Sequence, residues 1–423
     1  MEKFVVAKSQ PLSGTVRIGG SKNAVLPILA ATLLTRQTCV VKDAPALSDV
    51  RVMEEILNAL GARTKRDAEN GWFSVTADDI SDEEIPYELA SKMRASFLIA
   101  GALLARKGVV KAPLPGGCAI GSRPVELHLK GFTALGARIE QEHGSITLTA
   151  KNGLKGGRIY LDFPSVGATE NIIMAASLAD GVTVIENCAV EPEIVDLANF
   201  LNAMGADVRG AGTGGVRVKG VERLDGCEHT IIPDRIEAGT FMIASVMTKG
   251  DIEIENVVWD HLKPIVAKLN ETNIARVEQT ENGARARCVE SHSIKGVDIK
   301  TMPYPGFPTD LQAQFMSLLC LSEGTSVVTE TVFENRFMHV GELRRMGADI
   351  KIESHSAIIE GVRKLTGCKV KATDLRAGAA LILSGLRAEG ETEIGDIFHV
   401  DRGYCDFEEK LKKLGANIKR VNE

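Results

Sequence analysis

The sequence predicts an α/β protein made of six βαβαββ-like units in two domains of three units each. A pattern of apolar helix, glycine-led strand and second helix returns about every 70 residues along the 423-residue chain. Five units end in Gly-Ala, and the fourth ends in Asn273-Ile274 instead. The first helix of each unit, such as residues 24–34, is apolar on nearly all sides, which is typical of a helix enclosed by sheets.

The six units can be followed in order along the chain. The expected elements of the N-terminal three are helix 24–34, strand 38–42 and helix 49–60, then helix 97–105, strand 109–111 and helix 125–135, then helix 172–179 and strand 182–186. The C-terminal three units open at residues 233–237, 308–312 and 373–376. Alternating apolar and polar residues predict hairpin strands at 145–149, 215–219 and 357–360. A domain boundary is expected near Ile232-Pro233.

Composition narrows the class of protein. A hydrophobic fraction of 44% and a charged fraction of 25% are those of a soluble globular protein. The net charge of −6 argues against a protein that coats nucleic acid. The eight cysteines include no Cys-x-x-Cys pair, so reduced thiols in a cytoplasmic protein are expected.

Membrane and secretory signals are not evident in the sequence. The longest apolar runs fall short of the roughly 20 residues that span a bilayer, and residues 1–17 lack a signal-peptide core. We therefore expect a cytoplasmic protein with no membrane insertion. No spacing of His or Cys residues suggests a metal site, and no oligomeric state is predicted.

The segment 112–129 carries the most reactive chemistry of the chain. Two prolines and three glycines between residues 113 and 121 predict an irregular loop that holds Cys118 and Arg123. Most lone cysteines are buried and inert. Flexible glycines and a nearby guanidinium are the setting that lowers a thiol pKa, however, so we expect Cys118 to be reactive.

The starts of the predicted helices suggest that the chain binds anions. Basic residues at a helix start oppose the helix dipole, so Lys22 and Arg94 are expected to serve a bound anion. For Ser165, Asp310 and Asp374 the plainer alternative is an ordinary N-cap. The Walker motif and the Gly-x-Gly-x-x-Gly fingerprint are both missing.

Several motifs spread along the whole chain closely resemble those of the UDP-N-acetylglucosamine enolpyruvyl transferase family. They are Ser-Lys-Asn at 21–23, Pro-Leu-Pro-Gly-Gly-Cys-Ala-Ile-Gly-Ser-Arg-Pro-Val at 113–125, Pro-Ser-Val-Gly-Ala-Thr-Glu at 164–170, Phe-Pro-Thr-Asp-Leu-Gln-Ala-Gln-Phe at 307–315, Glu-Asn-Arg-Phe-Met-His-Val at 334–340, Asp-Leu-Arg-Ala-Gly-Ala-Ala at 374–380 and Asp-Arg-Gly-Tyr at 401–404. The resemblance implies two inside-out, barrel-like α/β domains of three repeats each. Their implied extents are 22–232, and 1–21 together with 233–423.

The resemblance also implies a reaction. The enolpyruvyl group of phosphoenolpyruvate would move to the 3-hydroxyl of UDP-N-acetylglucosamine with release of phosphate, in the first committed step toward peptidoglycan. No metal or organic cofactor would be required. Cys118 would protonate C3 of phosphoenolpyruvate and could hold a covalent adduct. Asp310 would be the base, with Asp374 as a second carboxylate.

Substrate-binding residues are implied by the same matches. The cations expected to clamp phosphoenolpyruvate are Lys22, Arg123 and Arg402, with Asn23, Arg94 and Arg376 nearby. The residues expected along the nucleotide sugar are Arg123, Pro124, Val125, Glu126, Leu127, Ser165, Val166, Gly167, Val332 and Phe333, with Asp310 at its hydroxyl. Closure of the cysteine loop over the substrates is expected.

Two other interpretations are open. The sibling enzyme of the shikimate pathway shares the fold and the phosphoenolpyruvate clamp, but the Cys118 loop and the 164–170 motif favour the nucleotide sugar as acceptor. A catalytically silent relative that binds the nucleotide sugar as a sensor would not need the set of reactive side chains that this chain retains.

Overall fold

A computed structural model describes residues 2–67, 71–114, 120–121, 125–289 and 293–422. These residues divide into two compact units. The unit here called N-terminal contains residues 20–114 and 125–232, and the unit called C-terminal contains residues 2–19, 120–121 and 233–422. The chain therefore passes between units at 19–20 and at 232–233, and residues 120–121 group with the C-terminal unit.

The elements alternate along the chain. The strands are β1 (Glu2–Ala7), β2 (Ser13–Arg17), β3 (Thr38–Lys42), β4 (Arg63–Asp67), β5 (Trp72–Thr76), β6 (Val109–Pro113), β7 (Arg138–Glu142), β8 (Ser145–Thr149), β9 (Arg158–Tyr160), β10 (Val182–Glu186), β11 (Asp207–Arg209), β12 (Gly215–Lys219), β13 (Glu228–Thr230), β14 (Asp251–Glu255), β15 (Ala275–Gln279), β16 (Gly283–Cys288), β17 (Ile299–Lys300), β18 (Thr325–Thr329), β19 (Asp349–Glu353), β20 (Ser356–Glu360), β21 (Lys369–Lys371), β22 (Glu391–Gly395) and β23 (Ile418–Asn422). The α-helices are α1 (Lys22–Ala31), α2 (Ser48–Ala59), α3 (Tyr87–Ala90), α4 (Ile99–Lys107), α5 (Glu126–Ala134), α6 (Val166–Ala176), α7 (Pro192–Ala203), α8 (Arg235–Thr248), α9 (Trp259–Glu271), α10 (Gln312–Leu319), α11 (Val340–Arg345), α12 (Leu375–Gly385) and α13 (Phe407–Lys413). Short 3-10 helices cover Thr32–Leu34, Arg94–Leu98, Thr309–Leu311 and Ile397–Arg402.

The described residues of the N-terminal unit form three open sheets. Their strand orders are β13-β3-β5-β4, β6-β8-β7 and β11-β12-β10-β9. Most neighbours are antiparallel, but β13 runs parallel to β3 and β9 runs parallel to β10. The strands predicted at 38–42, 145–149, 182–186 and 215–219 are present with those bounds.

The described part of the C-terminal unit also forms three open sheets, with orders β15-β16-β14-β2, β17-β18-β20-β19 and β21-β22-β1-β23. The start of the chain supplies two of these strands. β1 lies antiparallel between β22 and β23, with Phe4 opposite Ile394 and Arg420. β2 runs parallel to β14 at the edge of its sheet.

The central helices are buried on all sides, as their composition predicts. In α8, thirteen of fourteen residues are buried, and all eight residues of α10 are buried. Small residues allow such helices to approach closely. A Cβ at Gly101 of α4 would lie 2.4 Å from the main-chain oxygen of Asn171 in α6, which explains why glycine is needed there.

The starts of three helices differ from the sequence-based expectation. Two of the apolar helices begin with a 3-10 turn, Arg94–Leu98 before α4 and Thr309–Leu311 before α10. Helix α6 begins at Val166 rather than at 172, because its first turn is made of small and polar residues that an apolar run does not reveal. None of the helices in the described ranges combines the length and apolar character needed to cross a bilayer.

Candidate active site

A carboxylate of the C-terminal unit is held by two arginines. Asp310 lies in the 3-10 helix before α10, and its Oδ1 accepts a 2.8 Å hydrogen bond from Arg336. Its Oδ2 accepts bonds of 2.9 and 3.3 Å from Arg376. The arginine side chains are only 5% and 2% exposed, whereas the Asp310 side chain is 24% exposed. One carboxylate thus faces two desolvated guanidinium groups.

The charges of this cluster fix its protonation state. Desolvation raises the pKa of the Asp310 carboxyl, but the positive charges of Arg376 and Arg336 outweigh it and lower that pKa well below its usual range. Desolvation lowers the pKa of Arg376, and the charge of Asp310 more than reverses this effect. Asp310 is therefore an ionised carboxylate at neutral pH.

A buried tyrosine with hydrogen-bonded polar neighbours packs against Arg376. Its guanidinium lies 5.3 Å from the centre of the Tyr404 ring. The Tyr404 hydroxyl is within 3.0 Å of the Thr240 hydroxyl and accepts a 2.9 Å hydrogen bond from Gln314. Burial raises the pKa of Tyr404, so this hydroxyl stays neutral.

The N-cap interpretation is right for two of the three residues to which it applied. Asp374 caps α12 by accepting from the backbone N–H groups of Arg376 and Ala377. Ser165 caps α6 by accepting from Ala168. Asp310 is not a cap, because both its oxygens bind arginine side chains.

Two histidines lie near Asp374 in the C-terminal unit. His339 is 1% exposed, and its Nε2 has no hydrogen-bond partner among the described residues. Burial lowers the pKa of His339 to about 4, against a partial opposing effect of Asp374. Burial, followed by the charge of Arg402, also lowers the pKa of His399. Both imidazoles are neutral at pH 7, and the charges of Arg402, the last residue of its 3-10 helix, and of Asp374 both act on His399.

The predicted nucleotide-sugar residues Val332 and Phe333 follow β18 in the same unit. The Arg336 guanidinium lies 5.2 Å from the centre of the Phe333 ring. Since Arg336 also binds Asp310, the structure brings Phe333 against an arginine that holds the carboxylate predicted to act as base, and Val332 precedes Phe333 in the same turn.

The basic residues predicted in the N-terminal unit lie at helix starts. Lys22 is the first residue of α1 and forms a 2.6 Å ion pair with Asp49 of α2, both side chains being nearly buried. Arg94 opens the 3-10 helix that packs against α1, and Asn23 follows Lys22 on α1.

The remaining predicted residues of the N-terminal unit lie at the starts of two helices that pack together. Val125, Glu126 and Leu127 are at the start of α5, and Ser165, Val166 and Gly167 are at the start of α6. His128 lies between the helix starts. Its Nδ1 is 2.9 Å from Asn171, and a Cβ added at Gly167 would be 3.3 Å from its Cε1.

Three predicted residues lie outside the described ranges: Cys118, Arg123 and Pro124. Their assigned roles stay predictions. The neighbouring Ile120 carbonyl accepts a 3.1 Å hydrogen bond from the Asn335 N–H, just before Arg336 in the chain. Within the described ranges, no group of three or more His, Cys, Asp or Glu side chains is arranged to hold a metal ion.

Residues 6–411 match the family model described as EPSP synthase (3-phosphoshikimate 1-carboxyvinyltransferase). The chain belongs to this family. It is 60% identical, over 99% of both chains, to UDP-N-acetylglucosamine 1-carboxyvinyltransferase 1 of Caldanaerobacter subterraneus. It is also 60% identical, over all of both chains, to UDP-N-acetylglucosamine 1-carboxyvinyltransferase 2 of Carboxydothermus hydrogenoformans.

Solved structures of the family confirm the predicted α/β fold class. The enolpyruvyl transferase NikO from Streptomyces tendae has a TM-score of 0.88 and 25% identity, over 100% of this chain and 99% of its own. An EPSP synthase from Acinetobacter baumannii has a TM-score of 0.76 and 18% identity over the full length of both chains, which bears on the fold alone.

In this family member, sequence reasoning missed several residues of the candidate site. Arg336 lies inside the quoted 334–340 motif, yet nothing in the spacing indicated that it would bind a carboxylate 26 positions earlier. Asp49 reads as an ordinary acidic residue in the first turn of a helix. Asn171 reads as part of a buried helix face. Polar residues within otherwise apolar helices were the available signal for Asn171, and also for Gln314.

Proposed function

We propose that this chain transfers the enolpyruvyl group of phosphoenolpyruvate to the 3-hydroxyl of UDP-N-acetylglucosamine and releases phosphate, in the first committed step of peptidoglycan precursor synthesis. The observation that carries this is the 60% identity over essentially full length with two relatives of that name. The model of the wider family bears the name of the 3-phosphoshikimate enzyme, so the acceptor is the point that needs a direct test.

Phosphoenolpyruvate carries a phosphate and a carboxylate, and several cations are therefore needed to bind it. We assign this task to Lys22, Arg123 and Arg402, with Asn23, Arg94 and Arg376 as neighbours. The support from the structure is that Lys22 opens an α-helix, where backbone N–H groups add to its charge. Its ion pair with Asp49 orients the ammonium group.

The reaction needs an acid and a base. A proton added to C3 makes C2 electrophilic, the sugar 3-hydroxyl oxygen bonds to C2 as it loses its proton, and departure of phosphate with loss of a C3 proton restores the double bond. We assign the acid to Cys118 and the base to Asp310, with Asp374 as a second carboxylate. Asp310 is ionised, as a base must be, but its lowered pKa makes it a weak base while both arginines bind it, so the assignment rests on the 307–315 motif.

The two helix starts of the N-terminal unit and the turn after β18 are the proposed contacts of the nucleotide sugar. Val125, Glu126 and Leu127 begin α5, and Ser165, Val166 and Gly167 begin α6. The N–H groups free at a helix start suit a pyrophosphate. Arg123, Pro124, Val332 and Phe333 complete the proposed set.

We place the reaction in the cytoplasm. The seven cysteines of the described ranges are free thiols, as is usual in a reducing compartment.

The test is phosphate release from phosphoenolpyruvate with UDP-N-acetylglucosamine or with shikimate 3-phosphate as acceptor. We expect release with the nucleotide sugar only. Release with shikimate 3-phosphate alone would assign the chain to the sibling reaction. Binding of the nucleotide sugar without release under any condition would instead support a silent sensor.

A further inference from the structure

A buried glutamate beside the candidate site accepts four hydrogen bonds from described residues. Glu330 follows β18 and is 2% exposed. Its Oε1 accepts from the Thr301 hydroxyl at 2.7 Å and from the backbone N–H groups of Val332 and Phe333 at 2.8 and 3.2 Å. Its Oε2 accepts from the Thr309 hydroxyl at 2.8 Å. A buried carboxylate with this many donors is held in one orientation.

The Oε1 side fixes the backbone of the turn that carries Val332 and Phe333. Besides the two N–H groups bound by Glu330, the Thr331 N–H donates a 3.0 Å bond to the Thr301 hydroxyl. The Thr331 hydroxyl in turn donates to the Thr301 carbonyl. Three successive residues of the turn are therefore tied to Glu330 or to its partner Thr301.

The Oε2 side reaches the carboxylate proposed as base. Thr309 immediately precedes Asp310, and its hydroxyl donates to Glu330 while accepting a 3.3 Å bond from Arg336. The same arginine donates to Asp310 at 2.8 Å. Glu330 thus sets the orientation of the Thr309 hydroxyl, which helps to aim the Arg336 fork at Asp310.

We propose that Glu330 is a positioning residue that holds the turn 331–333 and the Asp310–Arg336 pair in register, so that the acceptor hydroxyl meets its base. This inference rests on the function proposed above. A glutamine of the same shape replaces the carboxylate only in part. With its oxygen turned to the backbone N–H groups, its NH₂ group faces a threonine hydroxyl that has lost its acceptor.

The test uses Glu330→Gln with two variants that each disturb one side. Thr301→Val removes a partner of Oε1, and Thr309→Val removes the partner of Oε2. The matched control is Glu360→Gln, in which an exposed glutamate of the same unit loses its charge beside the Thr325 hydroxyl, 2.7 Å away.

For Glu330→Gln we expect kcat to fall about tenfold and KM for UDP-N-acetylglucosamine to rise about tenfold, the effect of one lost hydrogen bond to a charged group. KM for phosphoenolpyruvate should change by less than about twofold, because the hydrogen bonds of Glu330 in the described part of the chain go to none of the residues assigned to that substrate. Thr301→Val should mainly raise the acceptor KM, and Thr309→Val should mainly lower kcat. Glu360→Gln should match the wild type.

Amide hydrogen exchange of the free protein gives an independent readout. The N–H groups of Val332 and Phe333 should exchange faster in Glu330→Gln and at the wild-type rate in Glu360→Gln. A lower melting temperature with unchanged kinetic constants, or equal increases in both KM values, would overturn the positioning role. An inactive wild type would overturn the proposed function itself, whereas an active wild type with an equally active Glu330→Gln would overturn only the role of Glu330.

Discussion

Asp310 is the single residue on which the proposed chemistry depends most. Replacing it by asparagine keeps its shape and removes the base, so Asp310→Asn should lower kcat by at least about 100-fold. KM for UDP-N-acetylglucosamine should change by less than about threefold, since most proposed acceptor contacts are elsewhere. Steady-state phosphate release at several acceptor concentrations separates the two constants.

The matched control for that experiment is Asp251→Asn. Asp251 also binds an arginine through both oxygens, at 2.8 and 2.6 Å from Arg285, but this pair is on the exposed surface of the same unit. The Asp251→Asn variant should retain wild-type turnover. Near-normal turnover in Asp310→Asn would remove Asp310 from the mechanism.

Cysteine reactivity is a second prediction at the scale of single residues. Burial raises the pKa of the Cys320 thiol to about 12 and raises the pKa values of Cys188 and Cys368. A hydrogen bond with Cys227 lowers the pKa of Cys39, but that thiol is fully buried. Cys118, predicted from sequence to have a lowered pKa beside Arg123, should therefore be alkylated first by iodoacetamide at pH 7.5, and an epoxide such as fosfomycin should label it. Peptide mass spectrometry against time measures the order. Equal labelling of all eight cysteines would contradict the prediction.

Glu170 offers a prediction about stability and pH. It is 3% exposed, and its Oε1 has no hydrogen-bond partner in the described ranges. Burial, together with the charges of Glu193 and Glu191, raises the pKa of its carboxyl well above the usual value. The folded state therefore holds a proton that the unfolded state releases above about pH 4.5, so stability falls as pH rises from there toward the folded-state pKa.

Glu170→Gln removes this titration. We expect its melting temperature at pH 8 to exceed that of the wild type by about 2–4 °C, the shift that 1 kcal/mol produces in a domain of this size. The gain should shrink at pH 5, where the wild-type carboxyl is closer to protonated in both states. Calorimetry at the two pH values measures this. Glu186→Gln, at an exposed ion pair with Arg158, is the control and should show no gain.

Sequence reasoning at the residue scale identified charges more readily than their partners. It identified Asp310 and Arg376 through their motifs, and the structure brings them together. It gave no sign that Arg336 or Glu330 belongs to the same cluster, because the contacts join positions on separate elements. Spacing along a chain reveals neighbours only within one helix or strand.

At the scale of elements, strands were predicted best. β3, β8, β10 and β12 have the expected bounds because runs with alternating apolar residues are bounded by turn residues, such as Gly144 before β8, Gly181 before β10 and Asp43-Ala44-Pro45 after β3. Helix starts were less well predicted. The first turn of α6 is polar and small, and 3-10 turns precede α4 and α10, so the apolar run begins after the helical backbone does.

The 3-10 helix Ile397–Arg402 carries a prediction of its own. Asp401, next to the proposed phosphoenolpyruvate ligand Arg402, accepts bonds of 2.6 and 3.1 Å from Arg420 of β23. Arg420 also donates a 2.6 Å bond to Glu408 of α13 and lies 4.8 Å from the centre of the Phe4 ring. This planar fork therefore ties the end of the 3-10 helix to β1, β23 and α13.

Arg420→Lys keeps the charge but cannot make the same fork of bonds. We expect KM for phosphoenolpyruvate to rise about fivefold to tenfold, with KM for the nucleotide sugar nearly unchanged. The control is Arg276→Lys on β15, where an exposed arginine pairs with Glu278. If Arg420→Lys lowers thermal stability without any change in KM for phosphoenolpyruvate, Arg420 supports the fold and not the position of Arg402.

At the scale of the whole molecule, the repeat pattern predicted two domains of three repeats each. The described residues of each of the two compact units form three sheets. The pattern could not indicate where the first residues of the chain belong, because strand pairing over about 400 positions leaves no local periodicity. The family resemblance implied that they join the C-terminal domain. The domain extents 22–232, and 1–21 together with 233–423, stay a prediction. Whether fragments close to these bounds fold independently can test it.

The last prediction concerns those fragments. A fragment of residues 20–232 contains all strands of its three described sheets, so it should fold alone and melt cooperatively. A fragment of residues 233–423 lacks β1, the inner strand between β22 and β23, and β2 at the edge beside β14. It also lacks the core side chains of Phe4, Val6 and Leu12, each 0% exposed. We therefore expect it to be partly unfolded.

Adding a peptide of residues 1–19 should restore a cooperative melt to the C-terminal fragment, because strand pairing and burial of the missing side chains are then both recovered. A peptide with Phe4 and Val6 replaced by serine is the matched control and should not restore it. Circular dichroism melts of each mixture measure the outcome. A cooperative melt of residues 233–423 without the peptide would contradict this prediction. It would show that the C-terminal domain folds without β1 and β2.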